Sequence, residues 1–419
     1  EGNGSTQTIT NGIDLDGEGG MVWIKWRSGV LGSSDNALYD TERGVNELIR
    51  SNTTAAEVNT GTGSNASLSA FNSDGFSLGA DAMYGRVNYN GTSMASWTFR
   101  KAPRFFDVVT YTGNGVAGRE IAHGLGCDVG MIIVKRLDVA GKSWQVFHRT
   151  TTGTKALWLN QNYVGTTDIA YWDNTNPTDS VFTVGDNSTV NNSGGSFVAY
   201  LFAHDPVGED DDGMIACGSY TGNGSTNGSD INLGWEPQYI LIKSATSVVE
   251  WQMYDTMRGV VSGGTDKVLH PNTSDAEYAQ DVIEFTATGF RAKNNVSNTN
   301  ASGQTYIYMA IRSPMMVEPE AGTEVFDIAA YTGDNTTDRQ IDTINPDMTM
   351  GRGTPSEVSN IYIQNRLCGM RRLTTLDASA ESTPYPYDAY NNNGIVTSNN
   401  NSSPKIYYPL VFKRAKGFF

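Results

Sequence analysis

Histidine, cysteine and carboxylate side chains could do chemistry in this chain, and their spacing decides which chemistry is open to them. The four histidines, His123, His148, His204 and His270, are scattered, follow no HExxH spacing and gather no set of zinc ligands. His123 and Cys127 are neighbours in "HGLGC", but two ligands do not make a structural zinc site. Cys127, Cys217 and Cys368 are far apart and odd in number, which excludes a full disulfide framework and predicts free thiols, most simply buried ones. "GNGVAG" at 113–118 fits the dinucleotide pattern GxGxxG, yet that pattern needs a βαβ unit around it. Its relatives "GNGSTN" at 222 and "GDNTTD" at 333 lose glycines, so a loop turn accounts for all three.

Two acidic clusters carry a calcium hypothesis, because calcium takes six to eight oxygens from flexible loops. They are Asp14, Asp16 and Glu18 in "DLDGEGG", and Glu209, Asp210, Asp211 and Asp212 in "GEDDDG". Neither completes an EF-hand loop, and a solvated acidic linker is the competing expectation. A glycosidase pair is defined by its separation in space, so 45 acidic residues single out no candidate. The sequence therefore predicts no catalytic residue, and calcium is the one cofactor it leaves open.

The elements that must position these residues are short strands. Apolar residues alternate over short runs, as at Val22, Ile24 and Trp26, and Gly, Asn, Asp and Ser clusters separate the runs. Self-similarity organises them. "YTG" occurs at 111, 220 and 331; "MVWIKWRS" at 21, "MIIVKRLD" at 131 and "YILIKSAT" at 239 each read as an apolar strand ending on a basic residue; "YDTERG" at 39 returns as "YDTMRG" at 254. Copies close on "SWTFRKAP", "AYLFAHDP" and "IYMAIRSP", which aligns Trp97 with Tyr200 and Tyr308. The final "FKRAKGFF" matches "FRKAPRFF" at 99–106, so it copies an internal joint.

Four modules follow: 1–104, 105–206, 207–314 and a diverged 315–419. The expected fold is all-β, tandem antiparallel β-sandwich or jelly-roll modules of about 105 residues lying in series. Whether one repeat or a pair makes one sandwich is left open by the sequence.

A net charge of −16 argues against nucleic acid and against an anionic membrane surface, since both are bound through Lys and Arg. No apolar run is long enough for a transmembrane helix, and residues 1–20 lack the plan of a signal peptide. The first residue is Glu, which suggests processing or a cut ahead of it.

The phrases "VWIKWRS", "YDTERGVNELIRSN", "FNSDGFSLG", "SWTFRKAPRFFDVVTYTGNG", "IAHGLGCDVGMIIVKR" and "SFVAYLFAHD" together resemble a repeated β-module family of tailed-bacteriophage virion proteins, tail-fibre-like and concanavalin or laminin-G-like. The resemblance is strongest over 21–206. It implies a non-enzymatic virion surface protein in a tail fibre or appendage, extracellular, in contact with other virion proteins. By the same analogy it implies a homotrimer and host attachment through a surface polysaccharide. A capsid decoration or head-fibre protein and a host polysaccharide-degrading enzyme are the rival expectations.

A glycan would need aromatic faces with Asp and Asn beside them on loops. Aromatics at matched repeat positions are expected to be core. Two unmatched stretches are the candidates: Tyr171, Trp172, Asp173 and Asn174 first, and Tyr385, Tyr387 and Asp388 second. The competing expectation is that these loops pack against a neighbouring module or subunit.

Overall fold

A computed structural model describes residues 1–61, 66–80, 85–208, 212–260, 265–313, 321–335, 339–344, 346–351, 362–365, 373–374, 387–391, 394–397 and 406–413. Antiparallel strands dominate, joined by loops that include one four-residue helical turn, Ile169–Trp172, and a 3-10 turn, Gly322–Glu324. The fold is all-β, as the alternation predicts.

In module 1 a leading strand, Gly20–Gly29, lies between a closing strand, Thr92–Arg100, and a corner strand, Ala37–Asp40. The trio recurs as Val129–Arg136, Ser196–Ala203 and Gln145–His148 in module 2, and as Pro237–Ser244, Thr305–Arg312 and Gln252–Asp255 in module 3. Modules 2 and 3 carry an opening strand on the far side of the closing strand, Phe106–Thr112 and Ile215–Thr221. A smaller sheet forms the second layer of each sandwich. In module 1 it is Gln7–Thr10, Gly75–Leu78 and Leu68–Asn72; in module 2, Arg119–Ala122 with Val181–Val184; in module 3, Asp230–Asn232, Gly289–Ala292 and Ile283–Thr286. Every described sheet draws its strands from one repeat, so one repeat makes one sandwich. Module 4 has its own five-stranded and three-stranded sheets and a small core of Tyr331, Ile341 and Ile395.

Pairing corrects the sequence alignment at one point. Trp23 lies opposite Trp97, Ile133 opposite Tyr200 and Leu241 opposite Met309. Met309, not Tyr308, is therefore the counterpart of Trp97 and Tyr200. A one-residue slip exchanges the two faces of a strand. Tyr308 accordingly joins the inner core of module 3, while Met309 faces the other way.

That other face is the main departure from expectation. Val22 and Ile24 pack inside module 1 with Leu68 and Phe76, whereas Met21 and Trp23 belong to a second, larger core. Module 3 divides likewise: Ile240 and Ile242 point inward, Tyr239 and Leu241 outward. The outward residues of modules 1 and 3 join Phe106, Met131, Ile133, Tyr200 and Phe202 of module 2 in one continuous cluster. Leading strands are consequently buried on both faces, like strands of a covered sheet, and read as near-continuous apolar runs. Fully burying one such Leu, Ile or Phe stabilises by about 1.5–3 kcal/mol. The first three modules do not lie in series; they pack around a shared core.

Candidate functional site

Three pseudo-equivalent seams close modules 1, 2 and 3 into a ring. At the first, Tyr200 of module 2 donates its hydroxyl to Asp40 Oδ2 of module 1 at 2.7 Å. At the second, Trp97 of module 1 donates Nε1–H to Asp255 Oδ2 of module 3 at 3.1 Å. Met309 has nothing to donate at the third. There the corner residue is His148, not Asp, and its Nε2 lies 3.0 Å from the backbone oxygen of Tyr308. Module 2 thus touches 1, 1 touches 3, and 3 touches 2. Such a head-to-tail cycle of like contacts is a closed ring.

A second tier repeats the cycle one layer away. Trp144 Nε1–H donates to Arg50 O at 3.0 Å and Trp251 Nε1–H to Trp158 O at 2.9 Å. The equivalent Asn36 donates Nδ2–H to Pro271 O at 2.8 Å. The backbone N–H of each donor residue is itself held by an asparagine, Asn52, Asn160 or Asn272.

Charges at the two Asp seams are paired. Arg43 and Arg258, three residues after Asp40 and Asp255, bond them through Nε at 2.6 Å, in line with the "YDTxRG" spacing. Burial opposes the charge on Arg43, but Asp40, Tyr200 and Glu57 together raise its pKa above the ordinary value. Glu277 bonds Arg27 of module 1 through both oxygens at 2.8 Å and Arg258 at 3.2 Å. Burial pushes Glu277 up, yet these two guanidinium groups hold it below the usual carboxylate value. His148 is pushed down to about 4 by burial, so it sits in its seam as neutral imidazole.

The basic residue ending each leading strand is buried as well. Lys25 Nζ donates to Asn36 Oδ1 and, across a seam, to Thr273 O, both at 2.8 Å. Lys243 reaches Asn162 O of module 2 at 3.2 Å, and Lys135 caps Lys142 O at 2.6 Å and lies over the Trp144 ring. Burial lowers Lys25 to about 7 and Lys135 and Lys243 to about 8.

The "GNG" loops prove structural. Asn88, Asn191 and Asn300, all buried, each accept the backbone N–H of the middle residue, Asn3, Asn114 or Asn223. Gly113 and Gly222 lie so close to the carbonyls of Asn192 and Ala301 that a Cβ would overlap them. Module 1, which lacks "YTG", nonetheless keeps this loop at Gly2–Gly4. The recurring "VNYNG", "VNNSG" and "TNASG" at 87, 190 and 299 were the available signal for the anchoring asparagines, and alignment by aromatics passed over it.

The sequence-predicted glycan residues fare differently. Trp172 is 1% exposed and packs edge-on against Phe147 at 5.9 Å, so its ring offers no face to a ligand. Asp168 caps the helical turn through Ala170 N at 3.0 Å, and Asp173 ends it in the left-handed region. Tyr171 and Asp173 are half-buried and Asn174 is exposed. Tyr387 and Asp388 lie in the strand Tyr387–Asn391, while Tyr385 is outside the described residues.

The first acidic cluster does not converge. Asp14 accepts Gly17 N at 2.8 Å, Glu18 pairs with Arg100 at 3.6 Å, and Asp16 is exposed. Asp212 is exposed, and Glu209, Asp210 and Asp211 lie outside the described residues. Among the described residues, no three His, Cys, Asp or Glu side chains are grouped to hold a metal ion. Burial raises Cys127 to about 11 and Cys217 further, so neither is a ready thiolate.

One polar cleft does gather reactive types, where modules 1 and 2 join. Glu42, Lys101, Asp107 and His123 line an open space of about 420 Å³. Lys101 Nζ lies 2.7 Å from Glu42 and 3.5 Å from Asp107, and Asp107 also accepts Gly124 N at 2.7 Å. Burial pulls Lys101 down, but these carboxylates raise it overall. His123 is lowered by burial despite Asp107. At the next joint Ala216 stands in the place of Asp107, so the constellation is not repeated there. Its groups can hydrogen-bond a hydroxyl-rich or charged ligand.

Residues 1–314 match the family model described as "Domain of unknown function (DUF7483)". The chain belongs to this family. The DUF7483 match ends where module 3 ends, so the family unit coincides with the three-module ring. No curated protein and no solved structure matches the chain.

Proposed function

We propose that this DUF7483 protein is a structural protein of a bacteriophage virion, part of a tail fibre or appendage, working outside the cell as a homo-oligomer with other virion proteins. The ring is the observation that carries the reading. The buried histidine, arginines and lysines at its seams hold module against module, the arrangement expected of a rigid display platform. The resemblance of the module phrases to virion proteins supplies the setting. Host-surface polysaccharide would be met at the cleft of Glu42, Lys101, Asp107 and His123, since Trp172 has no exposed ring. Gold-labelled antibody against the chain, applied to intact particles, tests the placement. Label at the tail supports the proposal; label over the capsid shell favours a decoration protein. Release of reducing sugar from host capsule by the purified chain would replace it with an enzyme.

A further inference from the structure

Module 4 keeps the strand plan of the modules in the ring. Its closing strand, Leu410–Phe412, lies between an opening strand, Phe326–Ile328, and a leading strand, Met348–Gly351, whose other edge carries a corner strand, Tyr362–Asn365. Its aromatic pairs match those of module 2. Phe326 lies opposite Phe412 with ring centroids 5.1 Å apart and planes at 49°, as Phe106 lies opposite Phe202 at 5.0 Å and 49°. Tyr331 stacks on Tyr407 at 5.1 Å and 15°, as Tyr111 stacks on Phe197 at 5.0 Å and 12°.

That register assigns the two faces of the sheet. Inward lie Thr349, Gln364 and Val411, none more than 2% exposed. Outward, in the places of Phe106, Val108, Met131, Ile133, Tyr200 and Phe202, lie Phe326, Ile328, Met348, Met350, Leu410 and Phe412. All six are apolar. In module 2 the six counterparts are buried in the shared core. In module 4 every one is half-buried or exposed, and Ile328 is 56% exposed where Val108 is 0%. A contiguous apolar face left open to water marks an interaction site.

We propose that the outer face of module 4 packs against the same face on two other copies of this chain, so that three copies of module 4 close a second ring and hold a homotrimer. The ring of modules 1, 2 and 3 shows what covers this face: other modules of the same kind, joined head to tail and closed at three. Those three modules have no such face left to offer, because each is buried in their shared core. Module 4 of another copy carries one. The proposal gives the homo-oligomer its interface, and it rests on sheet geometry, not on a place in a virion.

Sedimentation equilibrium of the full chain at micromolar concentration tests this. The expected mass is three times the 45.3 kDa of one chain. Ile328→Asp and Met350→Asp should each reduce it to the monomer with the melting transition of the ring unchanged. Val248→Asp, at a ring residue 60% exposed, should leave the trimer intact. The photo-cross-linker p-benzoylphenylalanine in place of Ile328 keeps the face apolar, and in a mixture of isotope-labelled and unlabelled chains it should join module 4 peptides from different chains. A monomeric or dimeric parent, a trimer that survives both Asp variants, or cross-links confined to residues 1–314 would overturn the proposal. A trimer that labels no virion would uphold this interface and remove only the virion reading.

Discussion

Replacing Tyr200 by Phe removes one hydroxyl from a fully buried seam and leaves Asp40 with Arg43 as its partner. The loss should be about 1.5–3 kcal/mol in denaturant melts, the range for a hydrogen bond to a charged group. Asp40→Ala goes further, since Arg43 stays buried with Glu57 as its remaining carboxylate, and a broken buried pair costs about 3–5 kcal/mol. If both variants melt as the parent does, the seam carries no stability. The buried lysines give a pH signature. Lys25 titrates at about 7 when folded and at its ordinary value of 10.5 when unfolded. Between those values the unfolded state holds the extra proton, so stability from this group rises with pH. Lys25→Met should therefore gain most on the parent at pH 6 and progressively less toward pH 10.5, and a gap independent of pH would contradict the burial. These lysines and the "YDTxRG" acid and base are legible in the sequence because they repeat. Trp172 stands out in the sequence for the opposite reason, as an exception to the repeat. The exception turned out to be a private core residue, because a module can vary its packing as freely as its surface.

At the scale of the element, the "GNG" loop shows what a glycine is needed for. A Cβ on Gly113 would stand 2.1 Å from Asn192 O, while one on Gly194 meets nothing within 4 Å but adopts a positive φ of +75°. Gly113→Ala should therefore destabilise well beyond the roughly 1 kcal/mol expected of Gly194→Ala from backbone strain alone, and equal losses in thermal melts would sink that assignment. Strand positions were legible from alternation, and so was the class of fold. Register in module 3 was not. The matched closers put Pro314 six residues after Tyr308, as Pro103 follows Trp97, yet the strand pairs one residue later, through Met309. Only cross-strand partners reveal such a slip, because both faces of the closing strand are apolar and neither assignment looks wrong in the sequence.

For the whole molecule, the ring was out of reach of local pattern. Tandem repeats in series and tandem repeats closed on themselves have the same sequence period. The distinguishing mark was the density of apolar residues on leading strands, which carry a second buried face that a free sandwich would leave polar. Closure also makes the modules interdependent, so residues 1–314 should unfold in one calorimetric transition and module 1 alone should not fold stably. Separate transitions for three modules would count against a shared core.

Small-angle X-ray scattering on residues 1–314 measures the central claim most directly. A closed ring with one continuous core should have a radius of gyration of about 20 Å, the value for a compact body of this length. Three sandwiches strung in series would give roughly 30 Å or more, and that result would contradict the ring.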